Sequence, residues 1–98
     1  MSYTIFWSKT AEIDYIKNID FLLETWYEKQ ALDFIDAVNK HLNLISNNPK
    51  IFALTDYYNV RSVLIVKQIR LFYRILDDNS VELIRFWNNY QNPNKLKF

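Results

Sequence analysis

The 98-residue chain contains no glycine at all. Average usage predicts about 7% glycine, so about seven residues are missing. Glycine is the residue that enters left-handed backbone without steric cost, so positive φ at any turn here must come from Asn or Asp. The same absence removes chemistry. A phosphate-cradling GxxxxGK[ST] loop, a GxGxxG dinucleotide turn and a GxSxG nucleophile elbow are all excluded. Cysteine is absent too, which removes disulfides and any C-x-x-C redox or zinc pair. A chain without disulfides suits a reducing compartment.

The length allows one domain with one modest core, spanning residues 1–98. The segment Met1–Trp7 has neither a basic stretch nor an apolar run of signal-peptide length. No segment approaches the 18 continuous apolar residues of a membrane helix. A cytoplasmic protein without a membrane span is therefore expected. The formal net charge of +1 conceals an asymmetry. Residues 1–50 are net acidic and residues 51–98 are net basic, and all four arginines (Arg61, Arg70, Arg74, Arg85) lie in the second half. Arginine is the side chain suited to bidentate phosphate or carboxylate contacts.

Residues 3–7 are β-branched and aromatic and read as a short strand. Ser8 stands where a helix N-cap belongs, with Glu12 near the positive end of the helix dipole. From Lys9 to about Tyr27 the apolar residues fall at helical spacing. Ile16, Ile19, Leu23 and Trp26 form a stripe, widened by Ile13, Tyr15 and Leu22, that reads as core. A second helix runs from Glu28 to about Ser46 on Ala31, Phe34, Ile35, Val38, Leu42 and Ile45. Asn47-Asn48-Pro49 ends it, since Asn accepts left-handed backbone and Pro cannot continue a helix. The short break between the two helices predicts an antiparallel hairpin.

Residues 50–59 form a linker. Val60–Val66, Arg70–Leu76 and Val81–Asn88 are strand-like and are joined by Lys67-Gln68-Ile69 and Asp77-Asp78-Asn79-Ser80. Two tight connections between three strands predict an antiparallel meander. The tail from Asn89 to Phe98 is expected to be irregular. The order is β-α-α-β-β-β: an α+β fold with a helical hairpin packed on a three- to four-stranded antiparallel sheet.

Strand alternation then sorts the side chains. Leu71, Tyr73 and Ile75, with Ile84 and Phe86, should meet the helices. Arg70, Phe72 and Arg74 should face away, together with Leu83, Arg85 and Trp87, and Arg61 is expected to join them. A sheet face carrying arginines between aromatic rings can take phosphates and stacked bases. It can equally take an acidic and apolar segment of a protein, because arginine and aromatic residues are enriched at protein interfaces.

The phrases Val60-Arg61-Ser-Val-Leu-Ile-Val-Lys67, Ile69-Arg70-Leu-Phe-Tyr73-Arg74-Ile75, Asp77-Asp78, Val81-Glu-Leu-Ile-Arg85-Phe86 and Asn89-Tyr90-Gln91-Asn92-Pro93 stand in a recognisable order. Together they resemble the RelE/ParE toxins of type II toxin–antitoxin systems. Trp7-Ser8 with Ala11, and Phe34 and Ile45 before Asn48-Pro49, resemble the family's two helices, so the likeness spans nearly the whole chain. The resemblance implies two helices on an antiparallel sheet. It also implies a cytoplasmic growth-arresting toxin of stress responses, neutralised by a cognate antitoxin in a toxin–antitoxin hetero-oligomer. Toxins of the RelE branch cleave mRNA on the ribosome, whereas those of the ParE branch act on DNA gyrase.

Metal-independent RNA cleavage needs proton removal from a 2′-hydroxyl, neutralisation of the phosphate and protonation of the leaving oxygen. The resemblance assigns this work to basic side chains and a tyrosine. It points to Arg70 for the phosphate, with Arg61 one strand earlier and Tyr90 where many relatives carry arginine. Arg74, Arg85, Phe72 and Trp87 are the candidates for nucleic-acid or partner binding by alternation. The lone histidine, His41, sits on the second helix, away from these residues. No metal-ligating set is evident and no cofactor is expected. The expected activity is an mRNA interferase. The alternatives are a non-enzymatic toxin that binds gyrase, or a toxin-like domain that only binds antitoxin.

Overall fold

Ser8 fixes the start of the first helix. In the computed structural model, which describes residues 2–98, its hydroxyl accepts from the Ala11 backbone N–H at 3.0 Å. It thereby satisfies one of the four N–H groups that a helix start leaves open. The chain before it is strand β1 (Thr4–Trp7), and the helix that follows is α1 (Lys9–Thr25). Helix α2 (Glu28–Asn47) begins two residues later and lies against α1. Strands β2 (Arg61–Val66), β3 (Ile69–Asp77) and β4 (Ser80–Asn88) form the expected meander, and a 3₁₀ turn over Pro93–Lys95 interrupts the tail.

The sheet order is β1-β4-β3-β2, with β2, β3 and β4 antiparallel. The edge strand β1 pairs parallel with β4, so the sheet is mixed rather than purely antiparallel. Tight turns force consecutive strands to reverse, but β1 and β4 are separated by the whole helical hairpin, which can return the chain in either sense. The end of the hairpin is tied to β1 by a reciprocal pair. Tyr3 N–H donates to Ser46 O at 2.8 Å, and the Ser46 hydroxyl donates to Tyr3 O at 2.9 Å.

The missing glycines are handled differently from the expectation. Asn59, with φ of 55°, is the one described residue with left-handed backbone. Asn48 closes α2 at φ −153°, outside the left-handed region. The β2–β3 and β3–β4 connections contain no positive φ, and each is flanked by a register shift, at Leu64/Val66 and at Ile75/Asp77. These irregularities take up the misfit that glycine ordinarily absorbs. The Asp77 carboxylate accepts from both Asn79 N–H and the Ser80 hydroxyl at 2.8 Å, which shapes the second turn. Those two bonds favour the ionised form and hold the Asp77 carboxyl below its ordinary value of 3.8.

The core lies between the hairpin and the sheet. Ala31, Phe34, Val38 and Ile45 of α2 meet Ile65, Ile69, Leu71, Tyr73, Val81, Leu83 and Phe86. An aromatic cluster closes the end near Ser8, with ring centroids 5.1 Å apart for Trp7–Tyr15, 5.4 Å for Trp7–Phe86 and 5.5 Å for Tyr15–Phe34. Such pairs add about 0.5–1.5 kcal/mol each beyond the area they bury.

Helix α1 does not use the stripe expected of it. Ile13, Ile16, Leu23 and Trp26 are exposed, Ile16 at 60%. The buried positions are Ala11, Asp14, Asn18 and Leu22, with Tyr15, Ile19 and Phe21 beside them. The reason lies at the edge of the sheet. The register of β1 on β4 runs only to Leu83, which leaves the Phe86 backbone without a strand partner on that side. Asp14 accepts from Phe86 N–H at 3.1 Å, and the Asn18 side chain donates to Phe86 O at 3.0 Å. An unpaired strand edge beneath a helix needs polar partners. The helix therefore rotates Asp14 and Asn18 inward and leaves apolar residues outside.

Candidate functional site

The outer face of the sheet carries Arg70, Phe72 and Arg74 of β3, as alternation predicts, because the other set, Leu71 and Tyr73, is fully buried under the helices. On β4 the expectation fails by one residue. Tyr73 pairs with Leu83 while Phe72 pairs with Arg85, so Ile84 is an extra residue in β4. The bulge reverses the alternation that precedes it. Leu83 faces the helices, whereas Ile84 joins Val60, Phe72 and Trp87 in a second apolar cluster on the outer face. The Ile84 carbonyl at the bulge accepts from the Ser8 hydroxyl at 3.0 Å.

The four arginines occupy four environments. Arg61 is opposite Tyr73 in the register and so lies on the helix side, not on the outer face. Its guanidinium donates to Phe52 O at 2.7 Å and pins the 50–59 linker against the sheet. Tyr73 is locked to the same linker, its hydroxyl donating to Pro49 O at 2.7 Å. Burial pushes the Tyr73 hydroxyl above its ordinary value of 10.0, with the Arg61 charge opposing the rise.

Arg85 is bound by Asp14. Its Nε and Nη2 each sit 3.0 Å from the two carboxylate oxygens, a bidentate pair with both side chains largely buried. Its guanidinium carbon lies 5.3 Å from the centre of the Trp87 ring, and its Nη1 donates to Lys97 O at 3.1 Å. Arg74 is exposed and paired with Glu82 at 2.7 Å. Arg70 donates to the neutral Ser62 hydroxyl at 3.1 Å and stands opposite Trp87 in the ladder.

Tyr90 lies elsewhere. It is exposed, past the end of β4, with its ring edge-on to Phe21 of α1 at 5.9 Å. It borders a cavity of about 190 Å³ that is also lined by Lys17, Asn18, Asn88 and Gln91. Arg70, Arg61 and Tyr90, the three catalytic candidates of the sequence, are therefore on the outer face, on the helix face and at the α1 edge respectively. The outer face does bring together Arg70, Arg74, Phe72 and Trp87.

Sequence reasoning missed the segment that covers this face. Leu96 packs on the Val60, Phe72, Ile84 and Trp87 cluster. Phe98 meets Phe72 at 5.1 Å and Tyr57 at 4.5 Å. The available signal was the return of apolar residues at Leu96 and Phe98 after the polar run from Asn89 to Lys95. Asp14 and Asn18 were missed as well. Their signal was the stripe Ala11, Asp14, Asn18 and Leu22, which has helical spacing but reads as polar.

These features agree with what is known of other chains. The family model of the ParE toxin of the type II toxin–antitoxin system parDE matches residues 5–93. The chain belongs to this family. Its fold is also that of a chromosomal ParDE system from P. aeruginosa, with a TM-score of 0.72 and 12% identity over 89% of this chain and 96% of that one. The YoeB dimer from Staphylococcus aureus aligns with a TM-score of 0.63 and 20% identity, over 92% of this chain and 100% of that one. The E. coli DinJ-YafQ toxin–antitoxin complex aligns with a TM-score of 0.60 and 12% identity, over 90% and 93%. No curated protein sequence matches. Among the described residues no helix is long and apolar enough to cross a membrane, and no group of three His, Asp or Glu side chains could hold a metal ion.

Proposed function

We propose that this type II toxin arrests growth by binding a protein target, DNA gyrase, and that a cognate antitoxin neutralises it. The dispersal of Arg70, Arg61 and Tyr90 over three environments carries this reading. Cleavage of RNA by transfer to a 2′-hydroxyl needs its proton-transfer and phosphate-neutralising groups within hydrogen-bond reach of one phosphate. Arg61 and Arg85 are instead used to hold the fold. Docking needs less. The outer face carries the half-buried Arg70 and the exposed Arg74, with Phe98 and Tyr57 exposed on the same side, which is the composition of a protein interface. Relatives in solved toxin–antitoxin complexes support an antitoxin partner.

A second reading, ribosome-dependent mRNA cleavage, is favoured by Arg70 itself. Its guanidinium holds a neutral hydroxyl rather than a carboxylate, so it is open to a phosphate. One pair of assays separates the two. Purified toxin is added to gyrase with relaxed plasmid, and separately to ribosomes programmed with a message. The proposal expects lost supercoiling with accumulation of cleaved DNA, uncut message, and weakened inhibition by Arg70→Ala. Intact supercoiling with cuts in the reading frame would overturn it. Neither effect, with no growth arrest on expression, would leave antitoxin binding as the retained role.

A further inference from the structure

The end of β4 and helix α1 enclose a cavity of about 190 Å³ whose polar groups the fold leaves half used. Alternation puts Asn88 on the same side of β4 as Phe86, toward α1. On α1, Asn18 and Phe21 lie one turn apart and line the same space. Asn18 and Asn88 are buried, at 4% and 3% exposure. Asn18 spends its Nδ2 on Asp14 O at 2.9 Å and Phe86 O at 3.0 Å. Asn88 spends its Oδ1 on Tyr90 N–H at 2.8 Å, an Asx turn that leaves Tyr90 at the rim. These backbone partners fix which end of each amide is the acceptor and which the donor. The other ends, Asn18 Oδ1 and Asn88 Nδ2, have no partner among the described residues. No described side-chain nitrogen or oxygen is sealed from solvent without a partner, so both free ends reach the open space that these residues line. Asp14 at the floor is already committed, its two oxygens taken by Arg85 and by Phe86 N–H.

We propose that this cavity is a binding site for a single nucleotide, which inserts its base between α1 and the end of β4. A free acceptor and a free donor on two buried amides complement a nucleobase, whose Watson–Crick edge sets a donor beside an acceptor. Phe21 and Tyr90, with ring centroids 5.9 Å apart, supply aromatic surface for the ring. Lys17 lines the same space, is exposed, and has no carboxylate partner among the described residues. It therefore stands where the phosphate would emerge. The volume of about 190 Å³ is several times the roughly 30 Å³ that one water occupies, so a lone ordered water does not fill it. It is also below the roughly 300–1,000 Å³ of pockets that engulf a drug-sized ligand, so it takes the base and leaves sugar and phosphate outside. With Arg70 on Ser62, Arg61 on Phe52 and Arg85 on Asp14, no free guanidinium borders the site. It binds the nucleotide without cutting it. A free mononucleotide and an unpaired base of a strand present the same edge. The inference goes beyond the target reading, since it concerns this cavity whichever target the toxin arrests.

The probes are the common ribonucleoside 5′-monophosphates, titrated one at a time into the isotope-labelled full-length protein without gyrase or ribosomes. At least one should move the side-chain amide signals of Asn18 and Asn88 to saturation, and ribose 5-phosphate should leave them in place. Asn88→Asp keeps the acceptor for Tyr90 N–H and removes only the free donor. It should weaken binding at least about tenfold, for the uncharged nucleoside as for the nucleotide, so that repulsion of the phosphate is not the cause. Tyr90→Ala, at an exposed residue, should weaken binding at least about fivefold, and it decides the matter if Asn88→Asp does not fold. Lys17→Gln should weaken the nucleotide and spare the nucleoside. The proposal is overturned if no monophosphate moves the two amide signals at millimolar concentration, if ribose 5-phosphate moves them equally, or if Tyr90→Ala binds as the native protein does. A short single-stranded oligonucleotide of the preferred base then names the source. Tighter binding than the monophosphate assigns the site to a strand, and binding no tighter assigns it to the free nucleotide. A failed gyrase assay leaves these outcomes untouched, and a failed titration leaves the gyrase assay untouched.

Discussion

The two faces of the sheet are closed in different ways. The helix-covered face is shut by two long amphipathic segments and by polar ties between distant parts of the chain. Asp14 to Arg85 and Phe86, Asn18 to Phe86, Tyr73 to Pro49 and Arg61 to Phe52 each join an element to the sheet. The outer face is covered by the end of the tail, through Leu96, Phe98 and the bond from Arg85 to Lys97 O. The first closure makes the fold. The second covers aromatic surface with a segment that has few ties to lose. The difference separates the ties that carry the stability of this protein from a covering that contributes little to it.

That contrast breaks first at Asp14. Asp14→Ala strands the Arg85 guanidinium and the Phe86 N–H together, and removing one partner of a buried ion pair costs about 3–5 kcal/mol. Urea denaturation should find much of the total stability gone. A loss as small as that from a surface change would place the Asp14–Arg85 pair outside the fold's support. Tyr73→Phe comes next. It leaves Pro49 O without its donor, at about 1–2 kcal/mol, read from the same denaturation curves.

The tyrosines also set a pH limit. Tyr73 and Tyr15 have values raised by burial, so the folded state keeps its protons where the unfolded chain loses them. Their contribution is fully present below the ordinary value of 10.0 and is lost as pH rises through the folded values. The urea midpoint should therefore fall as pH rises past the ordinary value of 10.0, and less so in Tyr73→Phe. An unchanged slope in that variant would sink the assignment to Tyr73.

Leu96→Ala should cost about 1 kcal/mol, because the side chain is only partly buried. If it destabilised the protein as much as Asp14→Ala, the two closures would be equivalent and the contrast would collapse. Arg74→Ala, at an exposed pair with Glu82, should change stability by less than about 0.5 kcal/mol while altering the charge of the outer face.

Much of this molecule follows from local pattern. Ser8 caps the first helix, Asn48-Pro49 ends the second, and Asp77 to Ser80 makes the last turn. Each depends on neighbours within a few residues, and the periodicity of α2 and β3 likewise marks their buried sides in the sequence. Helix α1 resisted this logic, because its inward face answers to the bare Phe86 edge seventy residues away. The Ile84 bulge and the parallel placement of β1 depend on strand pairing in the same way. The site was legible only in part. Arg70, Arg74, Phe72 and Trp87 follow from alternation, but no local rule separates an arginine that faces a partner from one that holds a carboxylate or a carbonyl.

The sequence by itself determined the element order and the absence of glycine and cysteine, and with them the exclusion of glycine-rich phosphate loops and thiol chemistry. The tertiary structure alone decided which arginines remain available. It commits Arg85 to Asp14 and Arg61 to Phe52, leaves Arg70 and Arg74 outside, and lays Leu96 and Phe98 over the aromatic floor. The physical reason is that a charged side chain near a core must be paired, and its partner comes from wherever the packing brings one.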